Sequence, residues 1–301
     1  MLGLLRKFGI LEKHKDISWK ELLKHHAPIL LPAAHDGLTA KIIEKLGFDA
    51  YQVGGFALAG AHNAFPDIDL VHYGEQRDNI RDIIEASCLP VMIDADDCYG
   101  DVKNVTRTIQ GYEKLGASAI FFEDQKAPKR CGHMSEKEVI DKHDMVSKVK
   151  AAIAARHNKE TFIIARTDAR YKYGLDEAMR RAEAYLNAGA DGIFIESPDS
   201  IEELAQIGRR FKGVPMIANM LEGGGKTPIL SPSELHKLGF SMITYPTTVL
   251  FQVTKATWRA LEDLKSGKPM QRENSFNFDE FEKIVEKKRW QKLEQRFGKG
   301  G

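Results

Sequence analysis

The chain has 301 residues, 43% of them hydrophobic and 29% charged, and its 44 Lys+Arg against 43 Asp+Glu leave a formal charge of +1. That apolar fraction supports a substantial core and excludes a disordered, collagen-like or low-complexity chain, while the balanced charge argues against a nucleic-acid partner held on a broad basic surface. No apolar run approaches the ~18 residues of a membrane helix, and Cys88, Cys98 and Cys131, with no CxxC spacing, suit a reducing cytoplasm.

The first 27 residues read as a leading helix, and the apolar stretch behind Met1 is too short for a signal peptide. After it one pattern recurs: an amphipathic helix, a glycine that stops it, and a short apolar strand. It is seen at Lys45-Leu46-Gly47, Lys114-Leu115-Gly116, Asn187-Ala188-Gly189 and Lys237-Leu238-Gly239. Glycine just past a helix takes the left-handed conformation that closes the last turn. These glycines lie 69, 73 and 50 residues apart, room for two β/α units in each gap. Eight strands are predicted: Ile29–Ala33, Ala50–Val53, Val91–Ala95, Ala119–Glu123, Phe162–Arg166, Gly192–Glu196, Met216–Asn219 and Met242–Tyr245. They are short and mostly apolar, as parallel strands buried on both faces should be.

Eight alternating units point to an α/β chain folded as one (β/α)8 TIM-type barrel domain over 1–301. A doubly wound sheet is the alternative that strand counting leaves open. The barrel proper is expected over 28–250 and C-terminal helices over 251–301. The tail from Pro269 carries Phe276, Phe278 and Phe281, then a Lys/Glu-rich helix. It reads either as a solvated helix or as an arm packed on another subunit.

In such barrels the working residues lie at the carboxyl ends of the strands. Those ends read His35-Asp36-Gly37, Gly54-Gly55, Asp94-Ala95-Asp96-Asp97, Glu123-Asp124, Arg166-Thr167-Asp168, Glu196, Asn219 and Tyr245. Asp94, Asp96 and Glu123, with Asp67 as a fourth, form a hard-oxygen cluster whose charges repel unless a cation or shared protons relieve them. Mg2+ suits such a set, because it keeps several waters and takes one or two carboxylates. The alternative is that some of these acids cap helices or pair with Arg166 and Lys129.

Lys129-Arg130-Cys131-Gly132-His133 follows the fourth strand. A cysteine flanked by two cations and a histidine is suited to give or take a proton, and Gly132 permits close backbone approach to a ligand. Cys88 and Cys98 lack that setting, and Cys88 reads as core. Arg166 can clamp a carboxylate with two parallel hydrogen bonds or pair with Glu196 or Asp168. Glu222-Gly223-Gly224-Gly225-Lys226-Thr227 is not a phosphate loop, since Met220 stands where the Walker pattern needs glycine. Most histidines read as surface residues.

Taken together, Asp94-Ala95-Asp96 with Tyr99-Gly100, Glu123-Asp124-Gln125, Lys129-Arg130-Cys131-Gly132-His133, Ala165-Arg166-Thr167-Asp168-Ala169 and Thr227-Pro228 resemble the isocitrate lyase/phosphoenolpyruvate mutase superfamily over about His35 to Tyr245. The resemblance implies a (β/α)8 barrel with a C-terminal helix swapped between subunits, in a homodimer or homotetramer. It implies Mg2+ or Mn2+ and a small di- or tricarboxylate substrate, with no nucleic acid or membrane as partner. Lys-Arg-Cys-Gly-His is similar to the carbon–carbon lyase branch, which includes 2-methylisocitrate and 2,3-dimethylmalate lyases. The implied reaction is a retro-aldol-type cleavage releasing a 2-oxo acid such as pyruvate, with Cys131 protonating the other fragment.

By the same resemblance Lys129, Cys131, His133 and Arg166 are catalytic, and Asp94, Asp96, Asp67 and Glu123 surround the metal. Gly54, Gly55, Phe56, Gly132, Arg166, Glu196 and Asn219 contact substrate. Hydrolysis of oxaloacetate, a phosphonate rearrangement, or 2-oxo-acid binding without turnover are the alternatives on the same scaffold. The chain departs from methylisocitrate lyases in having Gln52 for the tyrosine proposed as base, Gly54 for a serine, and no arginine near Leu250 or Phe251. Those departures imply a smaller, malate-like substrate and leave the base unassigned.

Overall fold

A computed structural model describes residues 17–132, 137–269 and 272–298. The predicted leading helix is represented there by α1 (Trp19–His26), while residues 1–16 lie outside the described residues. The eight strands follow as β1 (Ile29–Pro32), β2 (Tyr51–Val53), β3 (Val91–Asp94), β4 (Ala119–Glu123), β5 (Phe162–Thr167), β6 (Gly192–Ile195), β7 (Ile217–Asn219) and β8 (Met242–Tyr245). Between them run α2 (Gly37–Lys45), α3 (Gly55–Asn63), α4 (Tyr73–Ala86), α5 (Val102–Leu115), α6 (Lys142–Ala155), α7 (Arg170–Asn187), α8 (Ile201–Arg210) and α9 (Pro232–Lys237).

All pairings between these strands are parallel. β2 to β6 form one run and β7, β8 and β1 another. Single bridges join the two runs, Ala33 to Gln52 and Ile193 to Met216, with Ala34 N donating to Gln52 O at 2.9 Å and Ile193 N to Pro215 O at 3.0 Å. The sheet therefore closes on itself, and the doubly wound alternative falls away.

Strand alternation decides what faces the axis. Ile29, Leu31, Ala50, Met92, Ala119, Phe121, Phe162, Ile164, Phe194, Ile217 and Met242 point inward and fill the barrel as one cluster. Trp19 and Leu22 of α1 close its lower end, with Trp19 Nε1 3.4 Å from Met242 Sδ. The opposite parity, including Leu30, Ile120, Phe122, Ile163, Ala165 and Ile243, packs outward against the helices. The next inward position beyond each plug residue falls at the carboxyl end, so the same alternation that builds the core sets the place of the polar groups.

Several expectations need correction. Ala33 and Ala95 lie just past β1 and β3. Cys88 is half-buried, its N–H donating to Glu44 Oε2 at 2.8 Å, whereas Cys98 is fully buried because the left-handed turn through Asp96, Cys98 and Tyr99 (φ 51°, 63° and 59°) folds it back beneath β3. His35, expected at the carboxyl end of the first strand, is buried there.

Beyond β8, α10 (Thr248–Lys265), α11 (Phe278–Ile284) and α12 (Lys287–Phe297) contain no buried residue. Glu286 ties this tail to α2 through Lys41 (3.2 Å) and Lys45 (3.3 Å). Among the described residues no helix is long and apolar enough to cross a membrane.

Candidate active site

The inward positions above the plug are Gln52 on β2, Gly54 just past it, Asp94 on β3, Glu123 on β4, Arg166 on β5, Glu196 after β6, Asn219 on β7 and Thr244 on β8. All of them line one cavity at the carboxyl end of the barrel. Phe56, Asp67, Lys129, Cys131 and Gly132 complete its wall, and the space it encloses is about 50 Å³. Of the residues expected at the site, Gly55 and Asp96 stand just behind this wall. Gly55 N donates to Asp94 Oδ2 at 3.2 Å. Asp96 lines an adjoining recess with Asp67 and Lys129. His133 lies outside the described residues.

The charges are arranged in two linked groups. Lys129 Nζ contacts both Asp67 Oδ1 and Asp96 Oδ1 in a setting where none of the three side chains is more than 10% exposed. Burial disfavours the ammonium, yet Asp96, Asp67, Glu123 and Asp94 outweigh it and hold the Lys129 pKa well above the ordinary value. For the acids burial wins over the cations: Asp94 is shifted upward and Asp96 is pushed up to about 7. Asp94 Oδ1 also accepts Asp96 N at 3.0 Å. The left-handed φ at Asp96 and the bare Gly55 are matched, because a Cβ on Gly55 would sit 2.7 Å from Asp96 Oδ1.

In the second group Arg166 Nη1 meets Glu123 Oε2 at 3.1 Å, Nε meets Asp168 Oδ2 at 2.9 Å, and Nη2 lies 3.5 Å from Glu196 Oε2. Its guanidinium carbon stands 5.2 Å from the Phe194 ring centroid. Burial opposes its charge, but Asp168, Glu123 and Glu196 keep it cationic. Burial drives the Glu123 pKa well up against the pull of Arg166, and Glu123 Oε1 has no hydrogen-bond partner. Glu196 accepts from Asn219 Nδ2 at 3.2 Å and from Ser197 N at 2.8 Å. Asp124, on the opposite parity, is a support: it accepts from Thr167, Asp168 N, Tyr185 and Arg181.

The segment that carries Cys131 is pinned at its neck. Gln125 donates from Nε2 to Arg130 O and accepts Arg130 N, both at 2.8 Å, and Lys126 N donates to Glu138 O at 2.9 Å. Cys131 N donates to Asp67 O at 3.1 Å. Gly132 is pressed against Arg166 and Glu196 so closely that a Cβ has no room. Ser197 Oγ and the buried Lys137 Nζ donate to Gly132 O, and Lys137 also meets Asp168 at 2.8 Å. Lys137 and Ser197 were missed from sequence. Only the spacing of Lys137, five residues past Gly132 in a segment that must return to the barrel, hinted at it.

A sequence model for the family described as phosphoenolpyruvate phosphomutase matches residues 19–265. The chain belongs to this family. Among its relatives, the 2,3-dimethylmalate lyase of Eubacterium barkeri is 41% identical over 93% of this chain and 97% of its own length. The 2-methylisocitrate lyase of Halalkalibacterium halodurans is 35% identical over 88% of this chain and 91% of its own. Among solved structures, a 2,3-dimethylmalate lyase, itself a member of the phosphoenolpyruvate mutase/isocitrate lyase superfamily, superposes with TM-score 0.86 at 32% identity, covering 93% of each chain. A phosphonopyruvate hydrolase in complex with oxalate and Mg2+ superposes with TM-score 0.80 at 27% identity over 90% of this chain and 94% of its own.

The phosphonopyruvate hydrolase above is a complex with Mg2+, and the donor set here can be tested for fit with that ion. Among the described residues no three Asp, Glu, His or Cys side chains converge in a group that could hold a metal ion, and Asp67 and Asp96 are turned onto Lys129. Mg2+ does not need a closed cage: one or two carboxylates with waters suffice. Asp94 lies on the cavity wall, Asp96 is two residues on, and Glu123 Oε1 is buried and unpartnered nearby. Hard oxygens shifted toward protonation by burial and crowding are a set that a divalent cation relieves, so the residues fit the ion.

Proposed function

We propose that this chain is a Mg2+-dependent carbon–carbon lyase that cleaves an alkylmalate-like hydroxy acid to a 2-oxo acid and a carboxylic acid. The observation that carries it is the shared wall: Cys131 lines the same cavity as Asp94, Glu123, Arg166 and Glu196. Asp94 and Asp96, with Asp67 and Glu123 nearby, are the residues that would hold Mg2+. Bound there, the ion would polarise the oxygens of the substrate's 2-hydroxy acid end.

The chain's own groups supply the rest. Arg166, fixed by three carboxylates and the Phe194 face, presents a preorganised cation to charge that develops as the substrate hydroxyl loses its proton. The C2–C3 bond then breaks, its electron pair passing into the second carboxylate as an aci-carboxylate, while the oxygen at C2 becomes the carbonyl of the 2-oxo acid. Cys131 Sγ gives its proton to C3 of the departing fragment, with Lys129 and Arg130 as the flanking cations and His133 two residues beyond. Gly132, lying on Arg166 and Glu196, brings the backbone over the substrate and excludes water.

Substrate size follows from the wall. Lys129 is engaged by Asp67 and Asp96, and Arg166 by Glu123, Asp168 and Glu196. Where a third carboxylate would call for an arginine, Phe251 packs edge-on to Phe56 with centroids 6.1 Å apart. This favours an alkylmalate over 2-methylisocitrate. We further read the exposed C-terminal helices as an arm exchanged between subunits of a homodimer or homotetramer, and the free cysteines as fitting a cytoplasmic protein.

The test is incubation with 2,3-dimethylmalate, 2-methylisocitrate, oxaloacetate and phosphonopyruvate, with and without Mg2+, with products read by mass spectrometry. Mg2+-dependent pyruvate or another 2-oxo acid from the alkylmalate supports the proposal. Turnover of oxaloacetate or phosphonopyruvate alone replaces it with the hydrolase or mutase reading, and no product from any acid leaves 2-oxo-acid binding.

A further inference from the structure

Gln52 is a buried polar group of the cavity wall to which the lyase reading gives no task. On β2 it shares the inward face with Ala50 below it in the plug and Gly54 above it. Its side chain is 2% exposed and lines the cavity, yet Nε2 has no acceptor. A buried N–H without a partner is costly and rarely tolerated without cause. Its neighbours say what kind of acceptor is absent. Helix α3 starts one residue past Gly54, and first-turn N–H groups of a helix have no intrahelical acceptors and favour an anion. Gly55 N is taken by Asp94 Oδ2. A Cβ on Gly54 would meet nothing within 4 Å, so the space between Gln52 and the helix end is open.

We propose that Gln52 is a substrate-binding residue whose Nε2 donates a hydrogen bond to a carboxylate oxygen of the bound 2-hydroxy or 2-oxo acid, beside the N-terminus of α3. The assignment rests on the lyase reading above. An amide stays neutral and donates at every working pH, so Gln52 orients the substrate and takes no proton from it. The base belongs to another group.

The experiment is calorimetric titration of oxalate in saturating Mg2+ into the wild-type protein, Gln52→Leu and Gln52→Glu, with thermal midpoints and kcat and KM on the accepted acid. Gln52→Leu is expected to weaken oxalate about 10- to 100-fold, the range for losing a hydrogen bond to a charged group, and to raise KM, while its thermal midpoint does not fall. Gln52→Glu is expected to bind worse than Gln52→Leu at pH 8. Its deficit relative to the wild type should narrow as pH falls and the new carboxyl gains a proton to donate, a response that a merely structural role would not produce. Wild-type affinity in Gln52→Leu overturns the assignment and leaves the lyase reading standing. A wild-type protein that neither binds oxalate with Mg2+ nor cleaves any of the acids overturns both.

Discussion

Lys129 meets Asp96 where the two side chains are 6% and 4% exposed, and the same ammonium also contacts Asp67. One cation thus neutralises carboxylates that burial pushes toward protonation. Removing it strands two acids. Lys129→Met is expected to destabilise the metal-free fold by about 3 kcal/mol, within the range for breaking a buried ion pair. The loss should be smaller at pH 5.5, where Asp96 takes a proton, than at pH 8. Urea titrations at the two pH values read this, and unchanged stability at pH 8 would show that Lys129 does not hold the acids.

The same acids set the pH dependence of metal binding. Burial, working against Lys129, raises Asp96 from 3.8 to about 7, and Asp94 moves in the same direction. With the folded value above the unfolded one, the metal-free fold binds more protons than the unfolded chain, so this contribution to stability is lost as pH rises from 3.8 through about 7. Mg2+ binds the deprotonated carboxylates. Its affinity should therefore climb by up to about tenfold per pH unit below 7 and level off above it. Calorimetry with MgCl2 at pH 5.5, 6.5, 7.5 and 8.5 checks the slope, and a flat profile argues against Asp96 as a ligand.

Much of this was legible in the sequence, for a physical reason. Period-two alternation in a closed parallel sheet fixes which residues face the axis, so apolar Met92 and Phe121 predict inward Asp94 and Glu123 two positions on. What escaped was what alternation does not govern. Cys98 is buried because a left-handed turn, invisible to periodicity, reverses the chain after Asp94. Lys137 reads as one more charge in a charged segment until the fold brings it onto Asp168. His35, read from sequence at the carboxyl end of the first strand, is indeed enclosed there.

Cys131 lines the cavity, with its N–H held by Asp67 O. As the proton donor to C3 it should be separable from binding. Cys131→Ser keeps the shape and loses the acidic thiol, so kcat should drop about 10²- to 10⁴-fold, the usual worth of a positioned acid. Oxalate affinity should stay within about threefold, since the variant keeps every charged contact. Retention of the full cleavage rate would remove the thiol from the mechanism.

Gly132 tests closure. A Cβ there collides with Arg166 and Glu196, while Gly132 O holds Lys137 and Ser197. Gly132→Ala should force the segment off Arg166, lowering kcat/KM by about 100-fold or more, as an ångström-scale misplacement does. The barrel core is untouched, so the thermal midpoint should change little. Limited proteolysis reports the position directly: wild type should be protected between 125 and 137 by oxalate with Mg2+, and the variant should not.

The C-terminal arm offers the last test. Trp258, Leu261 and Leu264 on α10 are 62%, 58% and 71% exposed, and Phe278 on α11 is 87% exposed. Between β1, α2 and the start of α10 runs an apolar groove of about 490 Å³ lined by Leu30, Leu38, Ile42, Leu46, Phe48 and Val253. Exposed apolar surfaces of this kind suit a partner subunit, and on the exchange proposed above one helix would satisfy arm and groove together. Trp258→Glu with Leu261→Glu should therefore shift the mass measured by light scattering from dimer or tetramer to monomer, and lower thermal stability with a protein-concentration dependence that the wild type shows more strongly. A wild type that is monomeric at tens of micromolar leaves the arm as a solvated helix.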